Sequence, residues 1–369
     1  MRIRNKQTTF KRYPNCFISK GYLRSTVIDT HRKCYLFIPR DIVPILEKNT
    51  FDFAELSRLY GTEMEYLVNN DIVFPIDLKF SDLFLSFNIM YDSPSIVENS
   101  IIDIENMSYT HFQVLLKQLD EFFCKSLQIR FLKNISKDTF CKFLDLIDQS
   151  SIESVEVVIP CSEWLNQDHI QYLISNIYNK ITVFHIFSAK ENNSVFYRGT
   201  RIFFNKEICS PFANCGNISS KLFTVNVQNY TLSLSYNNCL YKKITIDPNG
   251  NIKNCPSCSQ SFGNINDTTL EQALNHPDFK KHWSITKDQI DVCKDCEFRH
   301  MCTDCRVFIK DPENIYSQPA KCTYNPYIAK WQGEDGYVPV EECGTYTRET
   351  GFLVNHKRVE ELNKQLWGE

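Results

Sequence analysis

An α/β fold in three successive parts is what this sequence predicts: an N-terminal winged-helix-like module, a partial β/α barrel-like parallel sheet, and a C-terminal cysteine-rich domain. Three observations predict it. Residues 25–76 alternate β-branched runs with short helical ones, candidate strands recur at a near-constant interval between 99 and 187, and eight of the sixteen cysteines fall between Cys239 and Cys322. The divisions that follow are 1–80, 81–225 and 226–332, with 333–369 as a charged tail. A length of 369 residues is enough for two or three domains.

The N-terminal module reads as strand, turn, strand: Thr26-Val27-Ile28, the polar Asp29-Thr30-His31-Arg32-Lys33, then Tyr35-Leu36-Phe37-Ile38 closed by Pro39. Asp41 caps a helix carrying Ile42, Val43, Ile45 and Leu46, with Pro44 tolerated in its first turn. Two more helical runs cover 53–60 and 63–70, and Ile72-Val73-Phe74-Pro75-Ile76 returns as a strand. This order is the outline of a winged helix.

Strands starting at Ile101, Leu127, Val155 and Ile181 are spaced by the length of one strand-helix unit. Helical spacing links Phe112, Leu115, Leu116, Leu119 and Phe122, then Phe140, Phe143, Leu144 and Ile147, then Ile170, Leu173, Ile174 and Ile177. Strands alternating with helices imply a parallel sheet, either a partial barrel or a short open one. Chemistry on such a scaffold sits at the carboxyl ends of the strands. Asp103, Arg130, Cys161 and His185 lie there, but they supply no paired carboxylates, phosphate loop or nucleophile with its base, and they read as structural. Cys124, Cys141, Cys161, Cys209 and Cys215 likewise read as small buried hydrophobes. The stretches 188–194 and 214–220 read as connections.

Ile244 to Ile252 forms a hairpin turning at Pro248-Asn249-Gly250, which brings Cys255 against Cys239. Thr268-Thr269-Leu270-Glu271 is a capping box for the helix after it. Cys293-x2-Cys296-x5-Cys302-x2-Cys305 is the densest group, and Cys322 follows on a separate turn. A last helix is predicted from Lys357 to Leu366. Thiolates two residues apart on a tight loop present two sulfurs to one ion or cluster, so these cysteines are metal ligands. Zinc would be caged by Cys255, Cys258, Cys293 and Cys296, with Cys302, Cys305 and Cys322 contributing to another site. Iron–sulfur clusters suit eight closely spaced cysteines with no histidine interleaved in zinc-knuckle fashion. A disulfide framework is disfavoured, because the N-terminus is polar and leads into no apolar segment, which makes the protein cytoplasmic and its thiols reduced.

Composition excludes other classes. No window approaches a membrane span. The net charge of −3 and the isolated Lys48 and Arg58 in 41–70 argue against a DNA-reading helix, and hence against an iron–sulfur redox-sensing regulator. Residues 1–40 nonetheless hold ten basic side chains against Asp29 alone. They are Arg2, Arg4, Lys6, Lys11, Arg12, Lys20, Arg24, Arg32, Lys33 and Arg40, and they form either a solvated face or a landing place for an acidic partner.

The pattern Cys239-x10-Gly250-x4-Cys255, a gap, Cys293-x2-Cys296-x5-Cys302, then Cys305 and Cys322 resembles the SPASM domain, the auxiliary-cluster domain of many radical SAM peptide-modifying enzymes. The resemblance implies that Cys293, Cys296, Cys302 and Cys322 hold one [4Fe-4S] cluster, and that Cys239, Cys255 and Cys305 ligate another. The chain departs from the family in two places. Two residues rather than three separate Cys302 from Cys305, and Ser233 lies about where an upstream ligand is usual, with Cys258 as the substitute. The radical SAM triplet Cys-x3-Cys-x2-Cys is absent from these 369 residues, so no S-adenosylmethionine site and no radical SAM catalysis are expected.

Over its whole length the chain resembles the grasp-with-spasm SPASM-domain peptide maturases. Asn15-Cys16-Phe17-Ile18-Ser19-Lys20-Gly21, Arg24-Ser25-Thr26-Val27-Ile28-Asp29, Tyr35-Leu36-Phe37-Ile38-Pro39 and Cys322-Thr323-Tyr324-Asn325-Pro326-Tyr327 carry that resemblance. It implies a maturation factor for a ribosomally made peptide, with the precursor peptide and an ATP-grasp ligase as partners. The alternative is a zinc-stabilised peptide-binding adaptor without redox chemistry. No catalytic residue can be named.

Overall fold

The computed structural model describes residues 9–84, 87, 89–176, 178–208 and 215–368. Arg2, Arg4, Lys6, Ile177 and Cys209 lie outside the described residues. The chain forms two compact units from interleaved stretches: 1–91, 216–238 and 285–369 make the first, and 92–215 with 239–284 the second. The cysteine-rich stretch 226–332 therefore contributes to both.

Strands β1 (Thr9–Arg12), β2 (Cys16–Lys20), β3 (Arg24–Asp29) and β4 (Cys34–Pro39) open the first unit. Helix α1 (Val43–Leu46), the short strand β5 (Phe51–Asp52), helices α2 (Phe53–Leu59) and α3 (Gly61–Asn69) and strand β6 (Val73–Pro75) follow. The predicted β3–β4 hairpin, the helical runs and the returning strand are all present. Two sheets result, with β2-β3-β4 antiparallel in that order and β1 seated between β5 and β6. Phe10, Val27, Ile38, Ile42, Leu46, Met64 and Leu67 close a core between them. The hairpin turn is built on Asp29, whose carboxylate accepts the N–H groups of His31 and Arg32, each at 3.0 Å.

The second unit is an eight-stranded, mostly parallel sheet. Its strands β7 (Asn99–Ile104), β8 (Ser126–Phe131), β9 (Ser154–Pro160) and β10 (Ile181–Phe187) alternate with α4 (Tyr109–Glu121), α5 (Lys137–Asp148) and α6 (Gln167–Asn176), as the periodicity predicts. A hairpin of β11 (Asn193–Tyr197) and β12 (Thr200–Phe204) extends the sheet past β10, in a stretch the sequence reading left without strands. After α7 (Val227–Ser235) in the first unit, β13 (Lys243–Ile246), β14 (Ile252–Lys253) and α8 (Leu270–Leu274) return to the second.

The strand order is β11-β12-β10-β9-β8-β7-β13-β14. Six strands are parallel, and antiparallel β11 and β14 terminate the two edges, so the barrel-like series is an open sheet. The apolar faces of α4, α5 and α6 are buried on it, with Phe112, Leu119, Phe140, Ile170 and Leu173 among the residues fully removed from solvent. Burying each such side chain contributes about 1.5–3 kcal/mol. Cys124 belongs to this core, and Cys141 and Cys161 pack against it, as expected of small hydrophobes. Asp103 and Arg130 face each other across β7 and β8 as a buried bidentate ion pair, Nε to Oδ1 at 2.5 Å and Nη2 to Oδ2 at 2.8 Å. His185 pairs with Glu156 at 2.9 Å.

The capping box of α8 forms one residue later than predicted, between Thr269 and Gln272. Strands β15 (Tyr324–Asn325), β16 (Lys330–Trp331), β17 (Gly344–Thr347) and β18 (Gly351–Val354) and helix α9 (His356–Trp367) complete the first unit. The charged tail of the sequence reading is thus a folded hairpin and helix. Its residues Val340, Cys343, Phe352, Val359 and Leu362 share a core with Val292, Tyr327 and Ile328.

Candidate metal centre

Four of the predicted ligands, Cys293, Cys296, Cys302 and Cys322, line one pocket of the first unit. Tight turns place them. Cys296 N–H bonds the Cys293 carbonyl at 3.0 Å, Cys302 N–H bonds that of Phe298 at 3.0 Å, and Cys322 N–H that of Pro319 at 3.2 Å. Val292 enters the first turn at φ +67°, a left-handed conformation that a β-branched residue adopts only under constraint. Its burial beside Tyr327 and Ile328 holds it there.

The pocket walls are otherwise largely apolar, with Phe223, Val292, Phe298, Tyr324, Pro326 and Trp331, and the cations facing it are Lys287 and Arg299. The Lys287 ammonium donates to Cys302 Sγ at 3.3 Å. Burial pushes the ammonium's pKa down, but Cys302, Cys293 and Asp304 outweigh that and leave it raised. Burial pushes the Cys293 thiol up to about 12 and raises Cys296 and Cys302 as well, against the lowering effect of Lys287 on Cys293 and Cys302. Such thiols are neutral until a metal supplies the positive charge that deprotonates them. Cys296 Sγ meanwhile accepts the Phe298 N–H at 3.4 Å, which suits a thiolate.

The loop after Cys302 is pinned by buried charges. Asp304 accepts Arg306 Nη2 at 2.6 Å and Asn237 Nδ2 at 2.6 Å, while Arg306 Nη1 donates to the carbonyls of Ile315 and Ser317, both at 2.9 Å. Asn238 donates to the Cys302 carbonyl at 3.0 Å. Ser233, where an upstream ligand was expected, donates to the Tyr230 carbonyl at 2.7 Å and lies 3.1 Å from His300 Nδ1. Burial and Arg299 push that imidazole down to about 4, so it is neutral. Cys305 is buried in this unit, its Sγ accepting the Phe308 N–H at 3.4 Å.

Cys239, Cys255 and Cys258 belong to the second unit. The β13–β14 hairpin turns through Asp247, which accepts the N–H groups of Asn249 and Asn251 at 2.9 Å each. Gly250 stands at φ +80°, where an added Cβ would come within 3.0 Å of Ile265 Cγ1. This hairpin brings Cys255 into electrostatic range of Cys239, and a turn closed by Cys258 N–H on the Cys255 carbonyl at 3.0 Å carries Cys258.

Sequence reasoning missed two participants here. Cys215, read as a small hydrophobe, hydrogen-bonds the Cys255 thiol. Lys243, partly buried, donates to Cys239 Sγ at 3.6 Å. Burial lowers this ammonium's pKa, but Cys239, Cys255 and Cys215 outweigh that and leave it raised. The Cys255 thiol is lowered by Cys215, but Cys258 and burial outweigh that and push it up to about 12. A cysteine in the polar run 214–220, away from any apolar periodicity, was the signal for Cys215.

Residues 238–297 match the SPASM family, an iron–sulfur cluster-binding domain. The matched segment carries Cys239, Cys255, Cys258, Cys293 and Cys296. No curated protein matches the chain. Among solved structures, Streptococcus suis SuiB bound to S-adenosylmethionine is similar at 12% identity and a TM-score of 0.31, covering 85% of this chain and 99% of that one. Streptococcus suis SuiB bound to precursor peptide SuiA is similar at 11% and 0.30, covering 84% and 98%. At these values neither likeness bears on function.

Among the described residues, no three His, Cys, Asp or Glu side chains are placed to hold a single metal ion. A multi-iron cluster takes its thiolates at wider spacing than one tetrahedral ion does. The donor set in and beside the matched segment fits such a group in kind, with cysteine sulfurs, two backbone N–H to sulfur bonds and a lysine facing each set of thiols. Among the described residues, no helix is long and apolar enough to cross a membrane.

Proposed function

We propose that this chain is a maturation factor for a ribosomally made, modified peptide, carrying auxiliary [4Fe-4S] clusters and acting with an ATP-grasp ligase. The single observation that carries the cluster reading is the convergence of Cys293, Cys296, Cys302 and Cys322 on one pocket, in and beside a segment matching an iron–sulfur domain. These four would hold one cluster, and Cys239, Cys255, Cys258 and Cys305 are the candidates for another. Bound clusters supply one-electron chemistry or structural support. The protein's own part is to orient the thiolates, exclude water with Phe298, Tyr324 and Trp331, and offset the negative charge with Lys287. Without the radical SAM triplet, the chain is not assigned reductive cleavage of S-adenosylmethionine.

The precursor-peptide reading is supported by a groove beside the edge strand β4. It has a volume of about 690 Å³ and is lined by Leu23, Arg24, Phe37, Ile38, Pro39, Glu360, Lys364 and Trp367 among others. An edge strand offers unpaired backbone groups to an extended peptide, and a groove beside it receives alternate side chains. Anaerobic purification with iron, zinc and sulfide analysis tests the cluster reading: a brown protein with iron and acid-labile sulfide is expected, and a colourless zinc protein overturns it. Co-purification with an ATP-grasp ligase, and titration with the short peptide encoded beside it, test the rest. Formation of 5′-deoxyadenosine from S-adenosylmethionine would overturn the negative assignment.

A further inference from the structure

Beside the four-cysteine pocket, the first unit holds a second cavity of about 230 Å³ that the cluster reading leaves without a role. Val292 and Gln318 line both and form a shared wall. Most charges around the cavity answer one another. Lys310 pairs with Glu341 at 2.6 Å, while Asp311 accepts the Tyr346 hydroxyl at 2.9 Å and Arg348 Nε at 3.0 Å. Two polar side chains are left open. Gln318 is only 4% exposed, yet among the described residues its carboxamide makes no hydrogen bond. The four-cysteine pocket presents almost no polar surface, so this amide opens on the cavity. The other is Asp291, whose side chain is 10% exposed and reaches only Lys294, at 3.5 Å. A Cβ on Gly351, at φ +69°, would stand 2.5 Å from Asp291 Oδ1 and 2.7 Å from Oδ2, so the glycine keeps that carboxyl uncovered. Buried polar groups without partners are costly, and two of them on one cavity mark a place for a ligand.

We propose that this cavity binds a primary carboxamide on a short aliphatic stem, the group that a glutamine side chain carries. The ligand amide pairs reciprocally with the Gln318 amide, donating one N–H to its carbonyl and accepting from Nε2, and its second N–H goes to Asp291. A carboxyl accepts that N–H whether ionised or not. The stem lies along Val292, Val340 and Phe352. An ammonium would leave the Gln318 N–H donors unmatched, and a carboxylate would set acceptor against acceptor at Asp291. Neither the cluster nor the precursor-peptide reading is needed for this site.

The test uses the full chain purified anaerobically, as wild type and Gln318→Leu, with four-carbon probes in ligand-observed NMR titrations. Butyramide is expected to bind wild type in preference to butylammonium and butyrate, and roughly tenfold more weakly to Gln318→Leu. A diazirine-bearing analogue of butyramide is expected to label wild type within 291–318 or 340–352, which locates the site even if the variant fails to fold. Blocked N-acetylglutamine methylamide and free glutamine are compared next. Tighter binding of the first supports the site as one for a peptide residue, and of the second as one for the free amino acid. No binding of butyramide, preference for either charged probe, labelling elsewhere, or equal affinity in a folded Gln318→Leu would each overturn the proposal.

Discussion

Arg24 Nε donates to Glu297 Oε1 at 2.7 Å, joining strand β3 to the residue that follows Cys296. Glu297 is buried, and it also accepts the Tyr324 hydroxyl at 2.5 Å, while its carbonyl accepts Thr26 Oγ1 at 2.8 Å. The N-terminal sheet and the pocket of four cysteines are therefore anchored on one residue. The guanidinium of Arg24 also lies 3.5 Å over the Phe37 ring, in the groove beside β4.

Arg24→Met leaves the Glu297 carboxylate buried with Tyr324 as its remaining side-chain partner. Since Arg24 is partly exposed, the expected loss is about 2 kcal/mol, below the range for a fully buried pair. Urea unfolding of the iron-loaded protein measures it. Arg24→Lys keeps the charge but not the fork, and an intermediate loss is expected. A midpoint unchanged in Arg24→Met would show that Glu297 does not depend on this pair.

Much of this was legible before the structure, for identifiable reasons. The β3–β4 hairpin and the helices on the parallel sheet announced themselves because Thr26, Val27 and Ile28 form a β-branched run, while Leu36 and Ile38, or Phe112, Leu115 and Leu119, repeat at the period of their own element. Strands β1 and β2 did not, because Lys11, Arg12 and Lys20 interrupt runs of four and five residues. Parallel pairing of β13 with β7 joins Lys243 to Asn99 in register, a separation that no local pattern encodes. The same limit governs the site. Spacing marks a Cys-x2-Cys turn, but nothing in a sequence distinguishes Lys287 or Lys243 from a surface lysine until folding surrounds it with sulfur.

Acid sensitivity of the N-terminal module is expected to run through Asp29. Burial would raise its carboxyl, but the Arg32 and His31 N–H groups and the Arg32 guanidinium at 2.7 Å outweigh that and hold it below the usual carboxylate value. A folded pKa below the unfolded one means that the stabilisation is complete above pH of about 4 and is lost as pH falls through the folded value. Asp29→Asn should cost about 1–3 kcal/mol at neutral pH and flatten the acid limb of the stability curve. Unfolding midpoints between pH 6 and pH 2 check both, and parallel acid limbs in the two proteins would assign the sensitivity elsewhere.

Lys287→Met removes a positive charge 3.3 Å from Cys302 Sγ while keeping much of the side chain's length and apolar volume. Net charge and hydrogen bonds to sulfur are among the levers that set a cluster's potential, so the variant's cluster should become harder to reduce. Iron content should persist if Cys293, Cys296, Cys302 and Cys322 are sufficient ligands. A dye-coupled redox titration of both proteins, with iron counts on the same samples, separates the two effects. Equal potentials would mean that the ammonium does not face the cluster.

The groove beside β4 yields the prediction that bears most directly on the peptide reading. Trp367 lies on the last turn of α9, half exposed, and lines the groove with Phe37 and Ile38. Large exposed aromatics in a groove commonly serve as anchors for a partner, whereas a solvent-facing tryptophan contributes little to the fold. Trp367→Ala is therefore expected to weaken binding of the precursor peptide roughly tenfold or more, with iron content and unfolding midpoint unchanged. Arg24 is paired with Glu297 and Lys364 with Glu360, so among the described residues the lining carries no unpaired charge and affinity should change little as salt is raised. Fluorescence anisotropy of a labelled leader, repeated at two salt concentrations, measures both. Unaltered affinity in Trp367→Ala would move the peptide site away from β4 while leaving the metal assignments untouched.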